Sequence, residues 1–336
     1  MFQVAIVGSG GMGSAHAGCY AAIDNATVVG AMDIRLEAAQ SLAARHNAKA
    51  YTDFNRMLDE LRPDIVDICV PTPWHAEYVC LAAEAELKGI VCEKPMARTI
   101  ADCDRMISAC EQTNTPLFIA HVLRFFPEFI RAKELVDAGA VGQPVTVRTR
   151  RGGPFPHAWS DWYANYEWSG SLVLDMIIHD FDWLRWTFGE VERVMAKSVY
   201  GKNISELDYA LVTLRFKSGV MAHVEGTWAD PSGFKVSFEI AGDKGILDYN
   251  FNQPTSPPFQ IAQKVTKAQG VGVAVPESPL AISPYQAELS HFLSCLEQGV
   301  TPSVTPADAK AAVVISLAAL SSMEAERPVR ISELVS

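Results

Sequence analysis

The chain has 336 residues, 49% of them hydrophobic and 20% charged, with a formal net charge of −11. That length suggests two domains or one large α/β unit, with a core that needs no disulfide or metal staple. The acidic balance argues against nucleic-acid binding, which takes clustered Lys and Arg on phosphates.

In chain order, short apolar runs at 3–8, 26–33, 64–70, 89–94 and 116–122 alternate with helical stretches such as 36–47 and 75–88. The runs are rich in Val and Ile and nearly continuous in hydrophobicity, as strands buried on both faces of a parallel sheet are. Such βαβ alternation predicts a doubly wound sheet. Past residue 122 the pattern changes to a helix at 127–142 and longer, alternating strands at 144–150, 192–201, 208–216, 220–228 and 235–242. "KSG" at 217–219 and "GDKG" at 242–245 read as hairpin turns. This second sheet is expected to be antiparallel or mixed, with a helix around 170–188 covering one face. The Pro-, Gln- and Ser-rich stretch 251–280 reads as irregular connection, and helices follow at about 284–298 and 306–324. The domain reading is therefore 1–122 for the first domain and 123–336 for the second.

Cys19, Cys69, Cys80, Cys92, Cys103, Cys110 and Cys295 are scattered, with no C-x-x-C pair. No metal site is expected, and unpaired thiols suit a reducing cytoplasm. The N-terminus has no basic n-region or cleavage site, so no signal peptide is read, and no apolar run looks long enough to span a bilayer.

The first chemical cluster is "VAIVGSGGMGSAHAGCY", in which Gly8, Gly10 and Gly13 have the G-x-G-x-x-G spacing, with Gly11 and Met12 in the same loop. The glycines allow a tight turn, close approach of backbone to a pyrophosphate, and close helix–strand packing. The phosphate would sit at the helix N-terminus. Asp33 ends the second strand, twenty residues after Gly13. A carboxylate there accepts from a ribose diol and repels a 2′-phosphate, which points to NAD; Arg35 could meet a 2′-phosphate, which leaves NADP open. Pro71 and Pro73 stiffen a turn at a strand end, where Thr72 could contact the cofactor. His75 reads as a helix start or surface histidine that borders the same edge.

Glu93 and Lys94 finish the 89–94 strand on that edge; alone they would pass for a surface salt bridge. In the second cluster, "GSLVLDMIIHDFDWLRWTFG" at 170–189, the helix is apolar nearly all round and hence buried. Asp175 and His179 fall at i and i+4, on one face of that helix. An acid that orients an imidazole can serve proton transfer near neutral pH. A buried hydrogen-bonded pair, or half a metal site, is the alternative.

The glycine loop, "EKP" at 93–95 and the D-x-x-x-H-D helix together resemble the Gfo/Idh/MocA family (glucose–fructose oxidoreductase, inositol dehydrogenase, rhizopine catabolism). "LRFFPEF" at 123–129 and 301–322 resemble that family's Arg-x-x-Pro segment and C-terminal helix, so the similarity spans nearly the whole chain. The resemblance implies an N-terminal Rossmann domain and a C-terminal α/β domain with a large open, mostly antiparallel sheet that serves as an oligomer interface, in a homodimer or homotetramer. It implies a catalytic set of Lys94, Asp175 and His179. Lys94 would hydrogen-bond the reacting oxygen and help position the nicotinamide, Glu93 would support the strand-end loop, and His179 would accept the proton. The Lys94–Pro95 peptide would be cis.

The expected activity is an NAD(H)-dependent oxidation of a secondary hydroxyl on a sugar, cyclitol or sugar derivative. The segment 150–168 would line the substrate mouth, with Arg151, His157, Trp159, Trp162 and Tyr163 offering aromatic faces and polar tips to a polyol, and Arg124 adding a charge from the Arg-x-x-Pro segment. Two rival readings are an NAD-dependent glycosidase that uses transient oxidation, and a non-catalytic NAD-binding sensor.

Overall fold

The computed structural model describes residues 1–199, 208–230, 233–250 and 283–335. The apolar runs of the first third form β1 (Phe2–Val7), β2 (Ala26–Met32), β3 (Lys49–Tyr51), β4 (Ile65–Ile68), β5 (Gly89–Glu93) and β6 (Leu117–Ala120). Helices α1 (Gly11–Ala21), α2 (Leu36–His46), α3 (Phe54–Leu61), α4 (His75–Ala83) and α5 (Ile100–Thr113) alternate with them. The six strands make one parallel sheet in the order β3-β2-β1-β4-β5-β6. The strand order reverses between the parallel neighbours β1 and β4, which opens a crevice at the carboxyl ends of those strands. Every residue of β4, β5 and β6 is buried, the signature of a sheet covered on both faces.

In the second unit lie α6 (Pro127–Asp137), β7 (Pro144–Gly152), α7 (Tyr166–Ser169), α8 (Ser171–Asp175), α9 (Ile178–Phe188), β8 (Val191–Ser198), β9 (Tyr209–Phe216), β10 (Met221–Thr227), β11 (Lys235–Gly242) and β12 (Ile246–Asn250). After them come α10 (Pro284–Gln298), α11 (Pro306–Ala325) and β13 (Val329–Arg330). The second sheet has the order β12-β11-β7-β10-β9-β8-β13. Its β7–β10 pair is parallel and its other pairs are antiparallel.

The units are not two contiguous halves. The first is Met1–Phe125 together with the later segment that carries α10 and ends at Lys310; the second takes up the chain at Phe126 and again from Ala311. α10 belongs with the first unit because Leu289, Phe292 and Leu293 enter the same core as Val4, Ile6, Tyr20 and Phe118. The Phe118 and Phe292 rings stack with centroids 4.9 Å apart.

Alternation decides which face of the second sheet is covered. Ala210, Val212, Leu214 and Phe216 of β9 are buried, as are Ala222 and Val224 of β10. Gly226 continues that row, and a Cβ there would lie 2.5–2.6 Å from side-chain atoms of Ile177 and Leu172, so α8 and the turn after it press directly on the sheet. The opposite face mixes charged and apolar residues. It carries Arg148 paired with Glu239 and Arg150 paired with Glu225, among exposed Leu211, Met221 and Ile246.

Two readings change further. α11 is long and apolar enough to cross a membrane by length and composition, contrary to the sequence reading, but 56% of its apolar window is buried within the protein. The helix read across 170–188 is broken after Asp175. The N–H groups of both Met176 and Ile177 reach the Leu172 carbonyl at 2.9 Å, closing α8 before α9 begins. The stretch read as irregular connection at 251–280 lies outside the described residues.

Candidate active site

The glycine loop joins β1 to α1. Gly8 has φ +96°, and a Cβ on it would meet the Cys69 carbonyl oxygen at 2.6 Å. A Cβ on Gly13 would meet the Gly8 carbonyl oxygen at 1.9 Å, so the helix packs onto the strand turn as the spacing predicts. Gly10 and Gly11 have open space where a Cβ would stand. α1 begins there with no side-chain cap and no acid in its first turn. Its leading N–H groups therefore remain available to an anion.

Asp33 follows β2 and is buried. One oxygen accepts the Ser9 N–H at 3.0 Å and the other accepts the Arg35 N–H at 2.9 Å. The Arg35 guanidinium adds bonds of 3.1 and 3.2 Å. These four contacts fill the usual acceptor positions of a carboxylate. The Arg35 side chain is 41% exposed, so it can swing away and free two of them for a ribose diol. An open backbone cradle beside a carboxylate fits a dinucleotide.

On the same sheet edge, Pro71 leads into a short 3₁₀ turn, Thr72–Trp74, with Thr72 buried. His75 starts α4 as expected but is no surface residue. Its fully buried ring lies 2.8 Å from the Val70 carbonyl and 2.9 Å from the Pro95 carbonyl, strapping the loop after β4 to the loop after β5. Burial pushes its pKa down, against the opposing pull of the Val70 and Pro95 carbonyls. Lys94 is half-buried just beyond β5, and the Lys94–Pro95 peptide is cis.

Beneath this edge sit two charged groups that the sequence reading passed over, His16 and Asp67. His16 is fully buried on α1, with Nδ1 2.8 Å from Asp67 and Nε2 3.1 Å from Glu93. Glu93 also accepts the Lys94 N–H at 2.9 Å. Burial alone would raise the Glu93 pKa, but the adjoining His16 ring, and then Lys94, hold it below the usual range.

In the second unit, Asp175 closes α8 and is buried, while His179 is the second residue of α9 and half-buried. They do not stack one turn apart on a continuous helix; the break at Met176–Ile177 separates them. Both segments are anchored from outside. Asp208 accepts the Leu172 N–H at 3.0 Å at the start of α8, and burial raises the Asp208 pKa. The Trp183 indole donates to the Phe129 carbonyl at 3.1 Å, tying α9 to α6.

Arg151 was expected at the substrate mouth. It instead lies inside, 3% exposed, at the end of β7, and its Nε donates to Asp180 at 2.6 Å. Asp180 is fully buried and adjoins His179, so this pair fixes the helix that carries the imidazole. Arg124 is also engaged internally, donating to the Ser303 carbonyl at 2.6 Å and facing Asp308 at 3.4 Å. Of the remaining mouth residues, His157 and Trp159 are exposed. Trp162 stacks on the buried Tyr163 at 3.9 Å, and Tyr163 in turn meets Trp228 edge-on.

A parallel sheet with an open glycine cradle, a carboxylate after β2 and a lysine after β5, joined to a mixed-sheet unit, defines a dinucleotide-binding oxidoreductase of Rossmann type. Comparison with known proteins agrees. Residues 2–121 match the model for an oxidoreductase family with an NAD-binding Rossmann fold, and 129–248 match the GFO/IDH/MocA C-terminal domain. The chain belongs to the Gfo/Idh/MocA family, whose members act on CH–OH groups. It is 30% identical to a myo-inositol 2-dehydrogenase of Thermotoga maritima, over 99% of both chains. It is 26% identical to the scyllo-inositol 2-dehydrogenase (NAD(+)) of Bacillus subtilis, over 98% of this chain and 96% of that one. The crystal structure of a myo-inositol dehydrogenase from Corynebacterium glutamicum superposes with a TM-score of 0.81 at 25% identity, covering 98% of each chain.

Proposed function

We propose that the protein is an NAD(H)-dependent dehydrogenase of a secondary hydroxyl on a cyclitol, sugar or sugar derivative. The observation that carries this reading is the company Lys94 keeps. It lies on the sheet edge that also presents the Gly10–Gly11 cradle and Asp33. The inositol 2-dehydrogenases among its relatives support a polyol as substrate.

Bound NAD would supply the two-electron acceptor for the carbinol carbon. The N-terminus of α1 would hold the pyrophosphate and Asp33 the adenine ribose. Thr72 and Pro71, in the loop after β4, would border the cofactor. Lys94 donates a hydrogen bond to the hydroxyl oxygen as negative charge grows on it. His179 takes the hydroxyl proton, with Asp175 as its acidic partner. Trp159 and His157, exposed on the segment after β7, offer an aromatic face and a polar tip to a ring of hydroxyls.

We also infer a cytoplasmic homo-oligomer, with Leu211, Met221 and Ile246 at the contact, set among the ion pairs of the open sheet face. The test of the activity is NADH absorbance across inositols, aldoses, ketoses and glycosides. Substrate-dependent NADH formation from a free polyol is the expected result. Release of sugar from a glycoside without net NADH, or binding of NADH without turnover of any substrate, would overturn it.

A further inference from the structure

The chemistry just described uses Lys94 but gives no task to His16 or Asp67, the buried groups beneath it. Burying an imidazole and two carboxylates costs several kcal/mol unless each finds partners. Here the partners form a continuous chain across three elements. Asp67, inside β4, meets His16 Nδ1 at 2.8 Å; His16 Nε2, on α1, meets Glu93 Oε1 at 3.1 Å; and Glu93 Oε2, at the end of β5, accepts the Lys94 N–H at 2.9 Å. A carboxylate at each ring nitrogen asks for a donor on both, which the imidazolium supplies and the neutral ring does not. Burial alone would push the His16 pKa down, but Asp67 and then Cys69 outweigh it and hold the ring well above the usual range.

His16, Asp67 and Cys69 also have the composition of a metal site, with ligand atoms within 4.8 Å of one another. The distances favour hydrogen bonds. Ligands 2.0–2.1 Å from a tetrahedral zinc stand about 3.3 Å apart, whereas His16 and Asp67 are in contact at 2.8 Å. The Cys69 thiol, kept protonated by burial, points its sulfur at Asp67 Oδ1 at 3.4 Å, as a donor would.

We propose that His16 is a positioning residue for Lys94: through Glu93 it fixes the backbone from which the Lys94 side chain leaves β5, and through Asp67 it ties that point to β4 and to α1, the helix that forms the phosphate cradle. The proposal rests on the reading of Lys94 as a group that touches the reacting oxygen. One imidazole then sets the distance between the anchored cofactor and the lysine. A displacement of about 1 Å at a reacting group can cost on the order of 10²-fold in rate.

A double-substitution cycle tests this, with kcat for NADH formation and Kd for NADH measured on each purified protein. His16→Asn keeps a donor for Asp67 and loses the reach to Glu93. In the parent protein it should lower kcat roughly tenfold or more while the NADH Kd stays within about twofold. In a Lys94→Ala background the same substitution should change kcat by less than about twofold, because the group it positions is gone. An equal fold-loss in both backgrounds would overturn the proposal and leave the role of Lys94 standing. Undiminished kcat in Lys94→Ala alone would overturn the reading of Lys94, and the proposal with it. If His16→Asn does not fold, Glu93→Gln runs the same cycle with the His16–Asp67 contact in place, and the same outcomes decide.

Discussion

The two units bury charge in different ways. In the first, one imidazole is shared between two carboxylates, so His16 links α1, β4 and β5 in a single network. In the second, Arg151 has Asp180 as its one carboxylate partner among the described residues, through Nε at 2.6 Å and Nη2 at 3.5 Å, and links one strand to one helix. The first arrangement sits under the cofactor edge, where three loops must hold their relative places. The second sits beside His179, where a short helix must be held after a break. Removing one carboxylate from the shared network leaves the imidazole its other partner, whereas breaking a buried pair leaves its survivor with a full charge and no counterion.

That contrast predicts its largest effect at Arg151. Arg151→Met should cost about 3–5 kcal/mol, because Asp180 remains buried without its counterion, and should lower Tm by roughly 10 °C. Adding Asp180→Leu should recover most of the loss, since a matched apolar pair carries no desolvation cost. A chemical denaturation series on the parent, the single and the double variant measures both; a single variant as stable as the parent would remove the distinction between the units.

A smaller effect belongs to the cofactor edge. Asp33→Ser should cut the kcat/KM preference for NAD over NADP by roughly tenfold or more, the worth of a charged hydrogen bond. Arg35→Ala should leave NAD use intact, because it clears two acceptor positions on Asp33, and should weaken NADP use. A parent enzyme that prefers NADP would shift the selecting role from Asp33 to Arg35.

The smallest effect is the pH dependence of stability. The His16 pKa is raised above 6.5 in the fold, so its contribution is complete below that value and is lost as pH rises through the folded-state pKa. The Glu93 pKa is lowered below 4.5, so its contribution is present above that value and is lost as pH falls through the folded-state pKa. Asp67, Cys69 and Tyr20 share the same surroundings, and the buried Cys69 and Tyr20 are both held protonated. Tm measured against pH should therefore fall on the alkaline side for the parent, and His16→Gln should flatten that limb. An unchanged alkaline limb in His16→Gln would deny the imidazole its charge.

The sequence made the parallel sheet legible because its strands are continuous apolar runs, and made the cradle legible because glycine spacing is a local signal. β3, three residues long, and β12, with no buried residue, carried too little hydrophobic signal to be read. The break after Asp175 escaped notice because residues 172–178 other than Asp175 are apolar and no Gly or Pro marks the turn. Arg151 was misplaced although strand parity held the clue: Val147, Thr149 and Arg151 share the buried side of β7. The partner of Arg124, Asp308, lies 184 residues away, beyond any local pattern. Asp67 did leave a trace, a charge within the apolar run Ile65–Ile68, which asks for a buried partner. Nothing local said that His16 was that partner.

We propose a division of labour in which the first unit binds the dinucleotide and the second supplies the proton acceptor. Its most direct test is His179→Ala, with kcat for polyol-dependent NADH formation and Kd for NADH measured on the same preparation. Loss of a general base predicts a fall in kcat of roughly 10²–10⁴-fold. The NADH Kd should stay within about twofold of the parent, because the cradle and Asp33 are untouched. Parent-level kcat in His179→Ala would contradict the account.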